Sequence, residues 1–479
     1  MKDIYYCGKY DRSKSDYDAT WREPYWKKLH EEAGGGEEAD KIVEALKMLY
    51  TMYTDDLVKW YANLYDPGMG AYYCSTSGKE NEGYLPDIES TNQALNFLVT
   101  SGMLDEQGRD YRNVFTDEMR EKLIYFIKGM QLPNGYFYNY LKTQEEIDAA
   151  VPKRGRDLSW CTGLLKKFGE TPTYDTPNGM LGNGIDKNGN PVSDFSRREA
   201  ADGEESKPSG AALNYPEYLE SRETMIAYLD ENVKVVEKTY PAGNHLNATF
   251  GQYMARDVAM GWLGTEKSLT AGLIEWLNKQ INPVTGYWAP EVNFNGTNGF
   301  FKIITIYNSW KVPYPAIEQA IDSVLAVILG DQPSENNICE VYNIWSALIS
   351  AKQNVINCYP EEERAALLSK IDKTMKERGP EAILNTYKKQ SGYQKPDGAF
   401  SHKYVGSPKT HQGGIPTGLG LDEGDVDAIG KATIGITLNV FNAYGFTPVP
   451  IYHDREWQLY KSILESAKPV IKKETPIYR

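Results

Sequence analysis

Histidine and cysteine are both scarce in this chain, with five of each in 479 residues. Cys7, Cys74, Cys161, Cys339 and Cys358 are scattered, odd in number and contain no Cys-x-x-Cys pair. That spacing gives neither a disulfide frame nor a zinc ribbon, so they read as reduced thiols of a cytoplasmic protein. The opening "MKDIYYCGKYDRSKSDYD" lacks an apolar signal core, and no run approaches the roughly 20 apolar residues of a membrane span. No membrane partner is expected. Positive charge is also in deficit: 52 Lys and Arg face 66 Asp and Glu, a formal charge of −14. A phosphate-neutralising surface needs clustered Lys and Arg, so no nucleic-acid partner is expected. His-Glu-x-x-His, calcium-loop and Cys/His ligand patterns are missing, so no metal site is assigned. Glycine-rich phosphate loops of the P-loop and Rossmann kinds are missing too, and no cofactor is expected.

Tyrosine is what the chain has in excess, with 35 residues, beside 10 tryptophans. Aromatics with a polar edge line wet cavities and stack on sugar rings, and they also fill helix interfaces. Many follow one recurring phrase: "LYDPGMGAYYCS" from Leu64, "MQLPNGYFYNY" from Met130, "INPVTGYWAPE" from Ile281 and "YQKPDGAFSHKY" from Tyr393. Proline fixes φ at one turn position and glycine frees another. Before each phrase runs an amphipathic helix pattern, over residues 37–65, 116–130, 265–281 and 380–393. After the first comes a polar-capped helix at 85–102, where Ser90 and Gln93 have capping-box spacing and Gly102 suits the stop. After the last comes an acid-capped helix at 422–445, with the small residues Ala428, Gly430, Ala432 and Gly435. The unit is helix, turn, aromatic stretch, helix. Strand signals are sparse. The expectation is an all-α fold of about a dozen helices in about six hairpins, a period that implies a closed ring or solenoid. Residues 1–36 read as an N-terminal lead and 37–479 as one domain. Two long polar, glycine-rich loops interrupt the pattern: 182–214 reads as an insertion, and 407–424 as a lid over a site.

The Pro-Asp-Gly-Ala-Phe turn at Pro396 resembles the Gln-x-Pro-Asp-Gly-Gly-aromatic turns of the α/α-toroid proteins. These include terpenoid cyclases, protein prenyltransferases, six-hairpin glycosidases and α/α-barrel polysaccharide lyases. The resemblance implies an α/α toroid, with inner and outer helices around a central cavity and the turn aromatics leading inward. It supports a fold more than a reaction. The Asp-x-Asp-Asp acid of class II terpenoid cyclases has its nearest match at Asp425-Val426-Asp427-Ala428, where the last acid is missing. The Asp-x-Cys pair of zinc prenyltransferases has no match at any of the five cysteines.

Two acidic pairs stand at expected inner-helix starts, Asp87 with Glu89 and Asp425 with Asp427. Acids there cap free N–H groups and favour the helix dipole. A single cap suffices, however, and in a toroid the first and last hairpins are neighbours, so the pairs face each other across one mouth. Opposed carboxylates are what glycosidic cleavage needs. They would also be capable of holding a calcium ion. His402 and His411 flank the second pair as acid/base candidates or as surface-loop histidines. Candidate substrate-binding residues are the turn aromatics Tyr73, Tyr136 and Trp288, then Tyr253 and Arg256 on a helix after His245, and Glu340 and Tyr342 within an apolar helix. Lys302 and Tyr307 read similarly. The expected function is a glycoside hydrolase acting on a small-molecule or oligosaccharide substrate. The alternatives are a polysaccharide lyase, a terpenoid-cyclase-like isomerase, or a non-catalytic toroid that binds glycan or protein.

Overall fold

A computed structural model describes residues 10–11, 15–195, 215–331, 334, 337–428 and 434–475. These residues are mostly helical; the only strands described are the two-residue pair Tyr65–Asp66 and Ala71–Tyr72, antiparallel. In chain order the helices are α1 (Glu23–Glu32), α2 (Gly36–Tyr50), α3 (Asp55–Asn63), α4 (Thr76–Glu80), α5 (Ile88–Thr100) and α6 (Asp117–Gly129). There follow α7 (Gln144–Ala149), α8 (Val151–Lys167), α9 (Arg222–Asn232), α10 (Thr239–Met260), α11 (Leu269–Asn278) and α12 (Phe294–Trp310). The rest are α13 (Ile317–Leu329), α14 (Cys339–Cys358), α15 (Glu361–Ser391), α16 (Val426–Ala428), α17 (Ile434–Tyr444) and α18 (Asp454–Ser466). Among the described residues no helix is long and apolar enough to cross a membrane.

Alternate helices pack on one another: α5 on α8, α8 on α10, α10 on α12, α12 on α14, and α14 on α17. The short α16, just before α17, packs on α5, so the succession returns to its start. These helices carry buried residues on several faces; Ile88 through Leu95 are buried without interruption. The others are one-sided. In α2, Ile42, Val43, Ala45, Leu46 and Leu49 are buried at helical spacing, and α2 packs on α15.

Two of the four recurring turns share one construction. Gln131 and Gln394 bridge antiparallel to Phe137 and Phe400. Each Gln amide donates to the carbonyl of the turn glycine, Gly135 or Gly398, and to a distant backbone carbonyl, Tyr174 or Met52. Both glycines have φ near +80°, the left-handed region where a Cβ is disfavoured. Phe137, Trp288 and Phe400 are buried after their turns.

Some elements depart from the sequence reading. Helix α8 has no counterpart in it, because Pro152, Gly155 and Gly163 obscure the period; Pro152 sits in the first turn, where no N–H partner is needed. Helix α10 starts at Thr239 and so takes in His245, expected before the helix; Pro241 is in its first turn and costs no hydrogen bond. Residues 361–391 form one helix through Pro380, whose φ suits a helix. Ile371 and Met375 before the proline and Ala382 and Ile383 after it are all buried, so both sides of the proline are anchored in the core. Within the expected lead, α1 packs on α2 and buries Trp26 and Leu29. Gly430, Ala432 and the part of the 182–214 loop from residue 196 on lie outside the described residues.

Candidate functional site

The polar candidates gather where α5, α8 and α16 begin. Asp87 is the N-cap of α5: its Oδ1 accepts from the Ser90 N–H at 2.9 Å and its Oδ2 from the Ser90 hydroxyl at 2.8 Å. Asp87 therefore caps, and Ser90 is not the cap that its spacing to Gln93 predicts. Asp425 does the same for α16, accepting from the Ala428 N–H at 2.9 Å and from the His402 N–H. Each acidic pair thus divides. The first acid caps a helix; the second, Glu89 or Asp427, turns toward the space between them.

His411 occupies that space. Its Nδ1 lies 2.9 Å from the Asp427 carboxylate and 4.0 Å from that of Glu89, and its Nε2 lies 3.3 Å from Asp87 Oδ2. The Ser90 hydroxyl is also 3.3 Å from Nε2. Asp87, Glu89, His411 and Asp427 are each no more than 6% exposed. Burial alone lowers the pKa of His411, but Asp427, Asp87, Cys74 and Glu89 outweigh it and hold the imidazole well above its usual value. At neutral pH it is an imidazolium. Burial works against the ionised form of Asp87 as well, yet His411 and Lys153 bring its pKa below the ordinary value. Asp425 moves the other way: burial and the neighbouring Asp427 raise it to about 6, against the pull of His402.

Helix α8 supplies the other cations. Lys153, almost fully buried, is 2.6 Å from Asp157 one turn on and 3.8 Å from Glu89. Arg156 ion-pairs with Glu89 and donates at 2.7 Å to the Gln412 side-chain oxygen. Four carboxylates, Asp87, Glu89, Asp157 and Asp427, thus meet Lys153, Arg156 and the His411 imidazolium. One atom each of Glu89, His411 and Asp427 lies within 4.8 Å of the others, a cation-sized spacing. The residues fit a metal poorly, because both His411 nitrogens face carboxylates at hydrogen-bond range and two protein cations already serve Glu89.

The 407–424 loop carries His411 into the cluster. It is stitched down by Leu419 N–H to Ser77 Oγ at 2.9 Å, and by Ser407 and Ser77, which both donate to Glu423. The turn at Gln412–Gly414 then packs on α8. Beside it, His402 Nδ1 lies 3.9 Å from the Cys339 sulfur. Burial lowers the pKa of His402, but Cys339, Asp425 and Asp427 raise it to about 9.

All six acid and histidine candidates therefore meet around the start of α16. The seven substrate-binding candidates are placed in other contacts. Trp288 is buried and donates to the Leu277 carbonyl, closing its own hairpin. Tyr73 lies under the Lys472 ammonium, and Tyr136 donates to Gln252 with Arg154 over its ring. Tyr253 is buried near Tyr218, and Arg256 stacks toward Tyr215 and Trp262. Glu340 accepts from Ser334, and Tyr342 packs edge-on to Phe301. Lys153, Arg156, Asp157 and Gln412 had escaped the sequence reading. The i,i+4 spacing of Lys153 and Asp157 was the available signal, hidden because α8 itself was not recognised. Comparison with protein-family models, curated proteins and solved structures finds no match to this chain, so its function rests on the geometry of the site.

Proposed function

We propose that the chain is an α/α toroid that cleaves glycosidic bonds, with Glu89 and Asp427 as the paired carboxylates. The closed succession of packed helices supports the toroid, in which α5, α8, α10, α12, α14 and α16–α17 are the inner ring. The observation that carries the function is His411, which joins acids from the two ends of the chain at the starts of inner helices. Asp87 and Asp425 are held by capping; Glu89 and Asp427 are the pair that faces His411. The His411 imidazolium holds its proton 2.9 Å from Asp427; passing that proton by way of Asp427 to the leaving oxygen leaves a neutral imidazole, while Glu89 attacks or activates water. The closest approach of Glu89 and Asp427, under 4.8 Å, is shorter than the about 5–5.5 Å of retaining enzymes and far shorter than the about 6.5–9.5 Å of inverting ones. Arg156 links Glu89 to the Gln412 side chain. The polar character of this mouth favours a sugar over an isoprenoid, whose cavity would be walled by apolar side chains. The described cysteines carry thiols, which supports a cytoplasmic setting.

A second reading, cleavage by β-elimination, is favoured by His245. Burial pushes this imidazole down to about 4, so it is neutral at physiological pH and can accept a proton, with the Tyr228 hydroxyl 3.2 Å from its Nε2. The test is turnover on a panel of neutral and uronate-containing oligosaccharides, following new reducing ends together with the ultraviolet absorbance of an unsaturated sugar. Reducing ends alone, lost in Glu89→Gln and Asp427→Asn, support hydrolysis. Both signals together, lost in His245→Gln, support elimination. No turnover on any of them sinks both readings.

A further inference from the structure

A cavity of about 490 Å³ opens beside the buried cluster, between the segment that leads into α10 and the tip of the 407–424 loop. Its wall contains Lys234, Lys238, Asn232, Asn244, His245 and Gln412. No Asp or Glu is among its lining residues, although the chain as a whole carries 66 acids and a formal charge of −14. The sign of this hollow is therefore opposite to that of the molecule.

The local structure maintains that sign. The Lys238 N–H donates to the Lys234 carbonyl at 2.8 Å, a single turn that sets the two lysines four residues apart, both exposed at the mouth of the hollow. Like charges so placed repel, and neither lysine has a carboxylate within salt-bridge distance among the described residues; Lys234 donates only to the Asp230 carbonyl. Lys238 is the N-cap of α10, whose first turn bears no acid, so the positive end of a long helix dipole adds to the lysines. Asn232, Asn244 and Gln412 supply amides that both donate and accept, as ring hydroxyls require. Tyr240 adds an aromatic edge. Gln412 lines the cavity and accepts from Arg156, which pairs with Glu89, so two side chains link the cavity to the candidate carboxylates.

We propose that this cavity is a subsite for an anionic sugar, a hexuronate whose carboxylate lies between Lys234 and Lys238 and whose hydroxyls meet the amides. The inference rests on the reading of the protein as an enzyme that cleaves glycosidic bonds, and it names the class of substrate. Two lysine point charges attract any small anion, and the amides beside them, placed to meet ring hydroxyls, favour a sugar acid over a bare phosphate or sulfate.

The experiment is calorimetric titration of the full chain carrying Glu89→Gln with glucuronate, galacturonate, glucose, galactose and sodium sulfate. Uronate binding at least tenfold tighter than that of the neutral sugar, and weaker at high salt, is the expected result. In a Lys234→Met, Lys238→Met double variant that advantage disappears while the melting temperature stays near that of the parent. Equal binding of uronate and neutral sugar overturns the proposal, as does uronate affinity unchanged in the double variant. Sulfate that displaces uronate at equal concentration also overturns it, since the hollow is then a general anion site. Because binding is read without turnover, uronate binding without cleavage of any oligosaccharide leaves the subsite standing and removes the enzyme reading. Cleavage of neutral oligosaccharides without uronate binding does the reverse.

Discussion

His411 Nδ1 lies 2.9 Å from the Asp427 carboxylate, and on its other side Nε2 faces Asp87 at 3.3 Å. A loop histidine thus bridges an acid at the start of α5 to one at the start of α16. Removing a buried partner leaves uncompensated charge, so His411→Gln should cost about 3–5 kcal/mol of stability. Urea denaturation measures this; a loss below about 1 kcal/mol would mean that water or a rearranged lysine replaces the imidazolium.

The division of labour within each acidic pair separates stability from turnover. Asp87→Ala should destabilise by about 1 kcal/mol for the lost cap, plus the loss of its charge beside His411, whereas Asp87→Asn keeps a capping oxygen and should cost less. Thermal melts of the two variants give the comparison. Equal melting temperatures would remove capping as the role of Asp87.

Glu89→Gln and Asp427→Asn should lower kcat by about 100- to 10,000-fold on a cleaved oligosaccharide, the usual share of a general acid or base. Both keep the shape of the side chain, and neither residue caps a helix. Variants that retain kcat while the fold is intact would exclude these two carboxylates from the chemistry.

The pH dependence follows from His402, raised to about 9 by Cys339, Asp425 and Asp427 against the effect of burial. The unfolded value is about 6.5, so the folded state holds this proton more tightly. Its contribution to stability is complete below about 6.5 and is lost as pH rises through about 9. Asp425, raised to about 6, has the same sign in a lower window, its contribution gone above about 6. The melting temperature should therefore fall between pH 7 and 10, and His402→Gln should flatten that fall. An identical fall in the variant would assign it to other groups.

The turns give a test of the fold alone. Gln394→Ala removes amide donors to the Met52 and Gly398 carbonyls, both buried, and should cost about 1–3 kcal/mol. Gln131→Ala should behave alike, since its bonds repeat the pattern. If Gln131→Ala proves silent in a melt while Gln394→Ala does not, the two turns are not equivalent in energy.

The all-helical character and the turn that recurs between helices are legible in the amino-acid order. This is because proline, glycine and amphipathic spacing act within a few residues and need no distant partner. The same order singles out Asp87, Glu89, Asp425, Asp427 and His411, since acids at helix starts and a histidine in a glycine-rich loop are visible locally. Tertiary structure alone decided which acid of each pair caps and which faces His411, because that depends on the approach of α16 to α5 across the whole chain. It also decided that Lys153 and Arg156 neutralise Glu89, on a helix whose early proline and glycines hid its period. The acid-free hollow at Lys234 and Lys238 was illegible for the same reason: a local sign of charge depends on which segments fold together, and composition records only the sum.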